Sequence, residues 1–174
     1  MVYSASQPEE LALVKALQKF GLQLMSKDLK GRMEFEVGFL GQSRKFRLLH
    51  LMDFTSDRKR MSVVIRDEQT QLIKLYTKGA DSMIKERSTL RHHKTEEILD
   101  SFAREGLRTL LFAERDVSET ELTRFNAELD EANAQIGGKE AAVQRVYSRF
   151  EQGLEVLGSV GILDKLQDEV PETV

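Results

Sequence analysis

The chain has 174 residues, 40% of them apolar and 32% charged, and its 26 basic and 29 acidic side chains leave a formal charge of −3. That balance describes one soluble globular domain and excludes a general nucleic-acid binder, which carries a basic excess. The absence of cysteine excludes disulfides, thiolate metal sites and a cysteine nucleophile, and no stretch reaches the ~18 apolar residues of a spanning helix.

Met1 to Leu11 is polar, unlike a signal peptide, and points to the cytosol. Within it, Ser6-Gln7-Pro8-Glu9 reads as a capping box with proline in the first turn, and Leu13, Val14, Leu17 and Phe20 continue a helix that Gly21 closes. Met33, Phe35, Val37 and Phe39 alternate with Arg32, Glu34, Glu36 and Gly38, the period of a strand. Gly41-Gln42-Ser43 is the expected turn into a second extended run, Phe46 to Met52. Met61 to Arg66 and Leu72 to Lys78 are expected as an antiparallel hairpin joined by Asp67-Glu68-Gln69-Thr70. A helix over about 95–105 carries Ile98, Leu99 and Phe102 and stops at Gly106, before a strand over Leu107 to Glu114. Ser118-Glu119-Thr120-Glu121 is a second capping box, opening a helix with Leu122, Phe125, Leu129, Ala132 and Ile136 on one side. Gly137-Gly138 breaks it, and a further helix carries Val143, Val146, Tyr147 and Phe150 before a final strand from Leu154 to Val160. Short links between strands predict a mixed α+β fold, a mainly antiparallel sheet flanked by helices rather than a doubly wound parallel one. Asp164 to Val174 is polar, contains Pro171 and reads as poorly anchored.

Neither common glycine-rich phosphate cradle is present, and His50, His92 and His93 complete no metal pattern and read as exposed. Taken alone, Arg58-Lys59-Arg60 reads as a solvated charge run at a strand entrance. If Arg66 and Gln71 flank the hairpin turn, Lys59 falls opposite Lys78, and like charges so placed repel. Two lysines beside Gly79, which admits a close approach to the backbone, suggest an anion site. Glu10 shares the helical stripe of Leu13, Val14 and Leu17, and it also suits a helix N-terminus. Arg108 reads as a surface cation, and Phe54 as a core aromatic more readily than as an exposed platform.

Phe54 to Val63 resembles the F-S-x-D-R-K-x-M-S-V motif of P-type ATPases, Lys78-Gly79-Ala80 their K-G-A motif, and Gly106-Leu107-Arg108 their G-L-R motif. Ser6 to Val14 is similar to the S-S-P-D-E-x-A-L-V of the phospholipid-translocating class IV, the lipid flippases. Asp164 to Thr173 resembles the E-D-x-L-Q-x-x-V-P-E-T segment that follows the same domain. Departures are Gln7 for Ser, Glu9 for Asp and Leu163 for Glu, none of which touches the nucleotide residues.

The resemblance implies a nucleotide-binding (N) domain over 1–161, a twisted antiparallel sheet flanked by helices, with 162–174 a tail leading toward the phosphorylation domain. It implies that ATP lies across one face. Phe54 would stack on adenine, Glu10 would accept from the adenine edge, and Lys78 would line the base of the pocket. Lys59 and Arg108 would approach the phosphates, with Ser56, Met61, Gly79, Ala80 and Thr109 close by. Magnesium is expected with the intact enzyme but with no protein ligand in this chain. The family's D-K-T-G phosphorylation motif, T-G-E loop and membrane helices do not occur in this sequence. The chain's ends are therefore expected at the hinge to the rest of the protein, making it the monomeric cytosolic domain of an integral membrane protein. Phospholipid, the membrane and an accessory membrane glycoprotein subunit would be partners of the other parts, and nucleic acid would not. The competing expectation is a non-enzymatic interaction domain whose basic turn Arg58-Lys59-Arg60 docks an acidic partner or anionic lipid.

Overall fold

A computed structural model describes residues 8–89 and 93–163. The caps Ser6 and Gln7, His92, the side chain of His93, and the tail from Asp164 onward lie outside the described residues. Helix α1, Pro8–Lys19, leads into strands β1, Leu22–Lys27, β2, Arg32–Val37, β3, Gln42–Met52, β4, Arg60–Asp67, and β5, Ile73–Gly79. Helices α2, Asp81–Arg87, and α3, His93–Arg104, precede β6, Arg108–Val117, and helices α4, Glu119–Asn133, and α5, Lys139–Phe150, precede β7, Glu155–Ile162. Among the described residues these strands form one seven-stranded sheet in sequence order, and every neighbouring pair is antiparallel. The α+β expectation holds.

Alternation explains the layering. On β4 and β5, Ser62, Val64, Ile73, Leu75 and Thr77 are buried, while Met61, Val63, Lys74, Tyr76 and Lys78 are only half-buried. Successive side chains leave a strand on opposite faces, so the first set supplies the core and the second the other face. The core face is covered by α4 and α5: Leu122, Phe125, Val146 and Phe150 join Met52, Val64, Leu75 and Leu111 in one cluster, with Phe125 and Phe150 stacked at 4.1 Å between ring centroids. The α4 capping box forms as expected. The Ser118 hydroxyl accepts from the Glu121 amide at 3.2 Å, and the Glu121 carboxylate accepts from the Ser118 amide at 3.0 Å.

Several expectations are corrected. Strand β1 and helix α2 had no counterpart in the sequence reading. β1 (LQLMSK) is a mostly exposed edge strand without regular alternation, and α2 is short, with Ile84 its buried residue. Gly41, at φ +60, ends a single turn over Gly38–Leu40, and β3 begins at Gln42, so the bend lies before the expected Gly41-Gln42-Ser43 and takes in Phe39. Leu17, Phe20 and Ile136 are exposed. His50 is half-buried, hydrogen-bonded at 2.7 Å to the Asn126 side chain and edge-on to Phe125.

The hairpin register also differs. Arg66 pairs with Ile73 and Met61 with Lys78, so Lys59 does not stand opposite Lys78. The cause is the turn. The Asp67 carboxylate accepts from the amides of Gln69 and Thr70, at 2.8 and 3.3 Å, and Gln71 takes a left-handed φ of +61. That leaves Gln71 in the turn, keeps the Leu72 carbonyl hydrogen-bonded to the Asp67 amide at 3.0 Å, and moves every later pairing along.

Candidate functional site

The half-buried face and the strand ends beside it hold a cavity of about 650 Å³. Separate stretches of chain reach it: Glu10 from α1, Phe54 and Lys59 from the β3–β4 connection, Met61 from β4, and Lys78 and Gly79 from β5. Ala80, the N-cap of α2, closes one side, and Arg108 and Thr109 enter at the start of β6. Every expected site residue except Ser56 therefore lines one cavity. Ser56 is exposed on the same connection as Phe54 and does not line it. Asp81, Leu107 and Leu110, which were not expected as site residues, complete the wall.

Phe54 is 45% exposed, so it is an open ring at the cavity rather than a core aromatic. The Lys78 ammonium donates to the Glu10 carboxylate, and the two form an ion pair. Lys78 is thus matched by an acid from α1, not opposed by Lys59. Gly79 is required by the protein's own packing. A Cβ there would sit 2.6 Å from both the Lys59 carbonyl oxygen and the Arg60 Cβ. The close approach it admits is that of the neighbouring backbone.

The basic turn is mostly internal. Arg58 and Arg60 are 5% and 4% exposed and share one carboxylate, Glu151, which is fully buried at the end of α5. Glu151 Oε1 accepts from Arg58 Nη2 at 2.5 Å and from Ser62 Oγ at 2.5 Å, and Oε2 accepts from Arg60 Nη2 and Nε at 2.6 and 2.9 Å. Burial pulls the Arg60 guanidinium below its ordinary value, while Glu151 acts in the opposite sense. Of the run, Lys59 alone is exposed, so the expectation of a solvated basic surface for an acidic partner or anionic lipid is corrected. Sequence reasoning missed Glu151. Its signal was its place, one helical turn beyond Tyr147 on a stripe that also includes Val143.

A second cavity, of about 730 Å³, lies by α4 and α5 and is lined by Arg115, Arg124 and Arg149 together with Glu121 and Glu128. Its charges are matched. Arg115 reaches Glu121 at 3.1 Å and Arg149 reaches Glu128 at 2.7 Å. The cavity by Lys59, Lys78 and Arg108 sets those cations, with Glu10 and Asp81 among them, beside an open aromatic ring, a pairing suited to an anion attached to a flat base.

The sequence comparison assigns this antiparallel sheet and its cavity to a family. Residues 3–169 match the family described as P-type ATPase, cytoplasmic domain N, and the chain belongs to that family. It is 41% identical to the mouse (Mus musculus) phospholipid-transporting ATPase IK, 38% to the human (Homo sapiens) phospholipid-transporting ATPase IC and 36% to phospholipid-transporting ATPase 10 of Arabidopsis thaliana. These alignments cover 99–100% of this chain and only 13–15% of those proteins.

Proposed function

We propose that this chain is the ATP-binding domain of a phospholipid-translocating P-type ATPase, in which an aspartyl phosphate made elsewhere in the protein drives lipid movement across a membrane. The observation that carries the reading is the convergence of Glu10, Phe54, Lys59, Lys78 and Arg108 on one cavity from separate stretches of chain. Phe54 offers a ring face to adenine. The Glu10 carboxylate, already holding Lys78, has lone pairs left to accept from the exocyclic amine. Lys59 and Arg108 take the phosphates, the arginine by paired hydrogen bonds. Magnesium would travel with the phosphates, where it offsets charge.

On this reading the 1–161 segment is the nucleotide unit, and residues 162–174 lead toward the phosphorylation domain. The domain lies on the cytosolic side of an integral membrane protein, and lipid and any accessory glycoprotein subunit meet the other parts. Among the described residues no helix is long and apolar enough to cross a membrane.

An ATP titration followed by amide NMR tests the assignment. Saturable shifts clustered at Phe54, Lys78 and Arg108 are expected, with an affinity near millimolar, about −4 to −6 kcal/mol. Shifts confined to the Arg115–Arg149 cavity, or none, would overturn it.

A further inference from the structure

We propose that Glu151, beneath the sheet from the cavity, is a positioning residue for the nucleotide site and acts through Lys59. The inference rests on the ATP-binding reading above. A carboxylate offers about four acceptor positions, and in Glu151 all are taken: two by Arg60, one by Arg58 and one by Ser62. Two guanidiniums on one buried carboxylate leave an excess positive charge away from water. Desolvation makes such a network a poor source of stability compared with apolar packing. What the network does supply is geometry for the residue between the two arginines.

Lys59 sits at φ +51, a left-handed conformation that a side-chain-bearing residue keeps only when its surroundings impose it. The restraints can be named. Arg60 Nη1 donates back to the Arg58 carbonyl at 3.0 Å, fixing the peptide that enters Lys59. The Lys59 amide donates to the Thr55 carbonyl at 2.8 Å, and its own carbonyl accepts from the Ala80 amide at 3.0 Å. Arg58 also lies over the Tyr147 ring at 5.2 Å and reaches Gln144 at 3.2 Å, so α5 grips it at several points. With both neighbours drawn under the sheet to Glu151, Lys59 is left exposed at the cavity. Without that carboxylate the arginines lose their common anchor, the left-handed turn is no longer enforced, and the ammonium is no longer held at the phosphate end.

The test is a double-mutant cycle on this chain, with ATP affinity measured by calorimetry and the fold of each variant checked by amide NMR. Lys59→Ala is expected to weaken ATP about tenfold in the unmodified chain but less than about twofold in a Glu151→Gln background, because residues that act as a unit are non-additive. Glu151→Gln alone should lose about as much as Lys59→Ala. A cost of Lys59→Ala that is the same in both backgrounds, or a Glu151→Gln chain that keeps its ATP affinity, overturns the inference. Should Glu151→Gln fail to fold, Arg60→Lys takes its place and is judged by the same two outcomes. It keeps the charge but loses the forked contact and the bond to the Arg58 carbonyl. If the unmodified chain does not bind ATP, the ATP reading falls and takes this inference with it. An additive cycle on a chain that does bind ATP sinks only the role of Glu151.

Discussion

At Gly79 two segments of the site meet with no space between them. A methyl group there meets the Lys59 carbonyl and the Arg60 side chain at 2.6 Å. Gly79→Ala is therefore expected to cost about 3 kcal/mol, the upper end for overpacking, seen as a lower denaturant midpoint at unchanged slope. On the proposed function, Phe54 and Arg108 divide base from phosphate recognition. Stacking on an aromatic face contributes about 1–3 kcal/mol per base and is indifferent to the phosphates, so Phe54→Ala should weaken ATP, ADP and AMP by similar factors. Arg108→Ala should weaken ATP and ADP more than AMP, and increasingly so at low salt. A uniform loss from Arg108→Ala in titrations with the three nucleotides would mean the ligand lies the other way round. Most of these residues could be read from the chain because their motifs are contiguous. Glu151 could not, because the arginines it holds lie far from it in sequence and its burial exists only once α5 lies on the sheet.

Among the elements, those whose cause is local were the legible ones. The α4 capping box needs only residues 118–121, and it forms. Its acid has a pH signature. The Ser118 amide, helped by the Ser118 hydroxyl and Arg115, holds Glu121 below its ordinary value against the opposing effect of burial. A group lowered in the folded state adds stability above its unfolded value, near 4.3, and loses it as pH falls through the lower folded value. Glu121→Gln should thus cost about 0.3–0.5 kcal/mol at pH 7, because water screens a carboxylate this exposed. That difference should fade in chemical melts run progressively below pH 4.3. A gap that stays constant down to pH 2 would show that the carboxylate's charge contributes nothing. The β4–β5 hairpin shows the limit of local reading. Its strands were evident from alternation, but its register depended on one carboxylate, Asp67, organising the turn. Pairing shifts by whole residues with such a choice, and alternation alone is blind to a shift that keeps each side chain on its face.

For the whole molecule, the sheet separates two functions. One face is consumed by α4 and α5 and makes the core, while the other stays open enough to hold the cavity. On the proposed function, the isolated chain binds ATP without consuming it, since transfer needs a carboxylate in line with the γ-phosphate and this sequence has no D-K-T-G motif. Incubation of the purified chain with labelled ATP and magnesium should yield no acid-stable, hydroxylamine-sensitive phosphoprotein. Its appearance would place a nucleophile within these residues.

Hydrophobic period, capping residues and contiguous motifs act over a few positions. The fold class, the order of most elements and the residues that gather at the cavity were therefore legible in the chain alone. Packing decided the rest: which cations of Arg58-Lys59-Arg60 face water, that Lys78 is matched by Glu10, and that Gly79 makes room for backbone. Each of those outcomes depends on what lies across a strand or beneath the sheet. Desolvation and steric exclusion act between neighbours in space, which the order of residues along a chain does not specify.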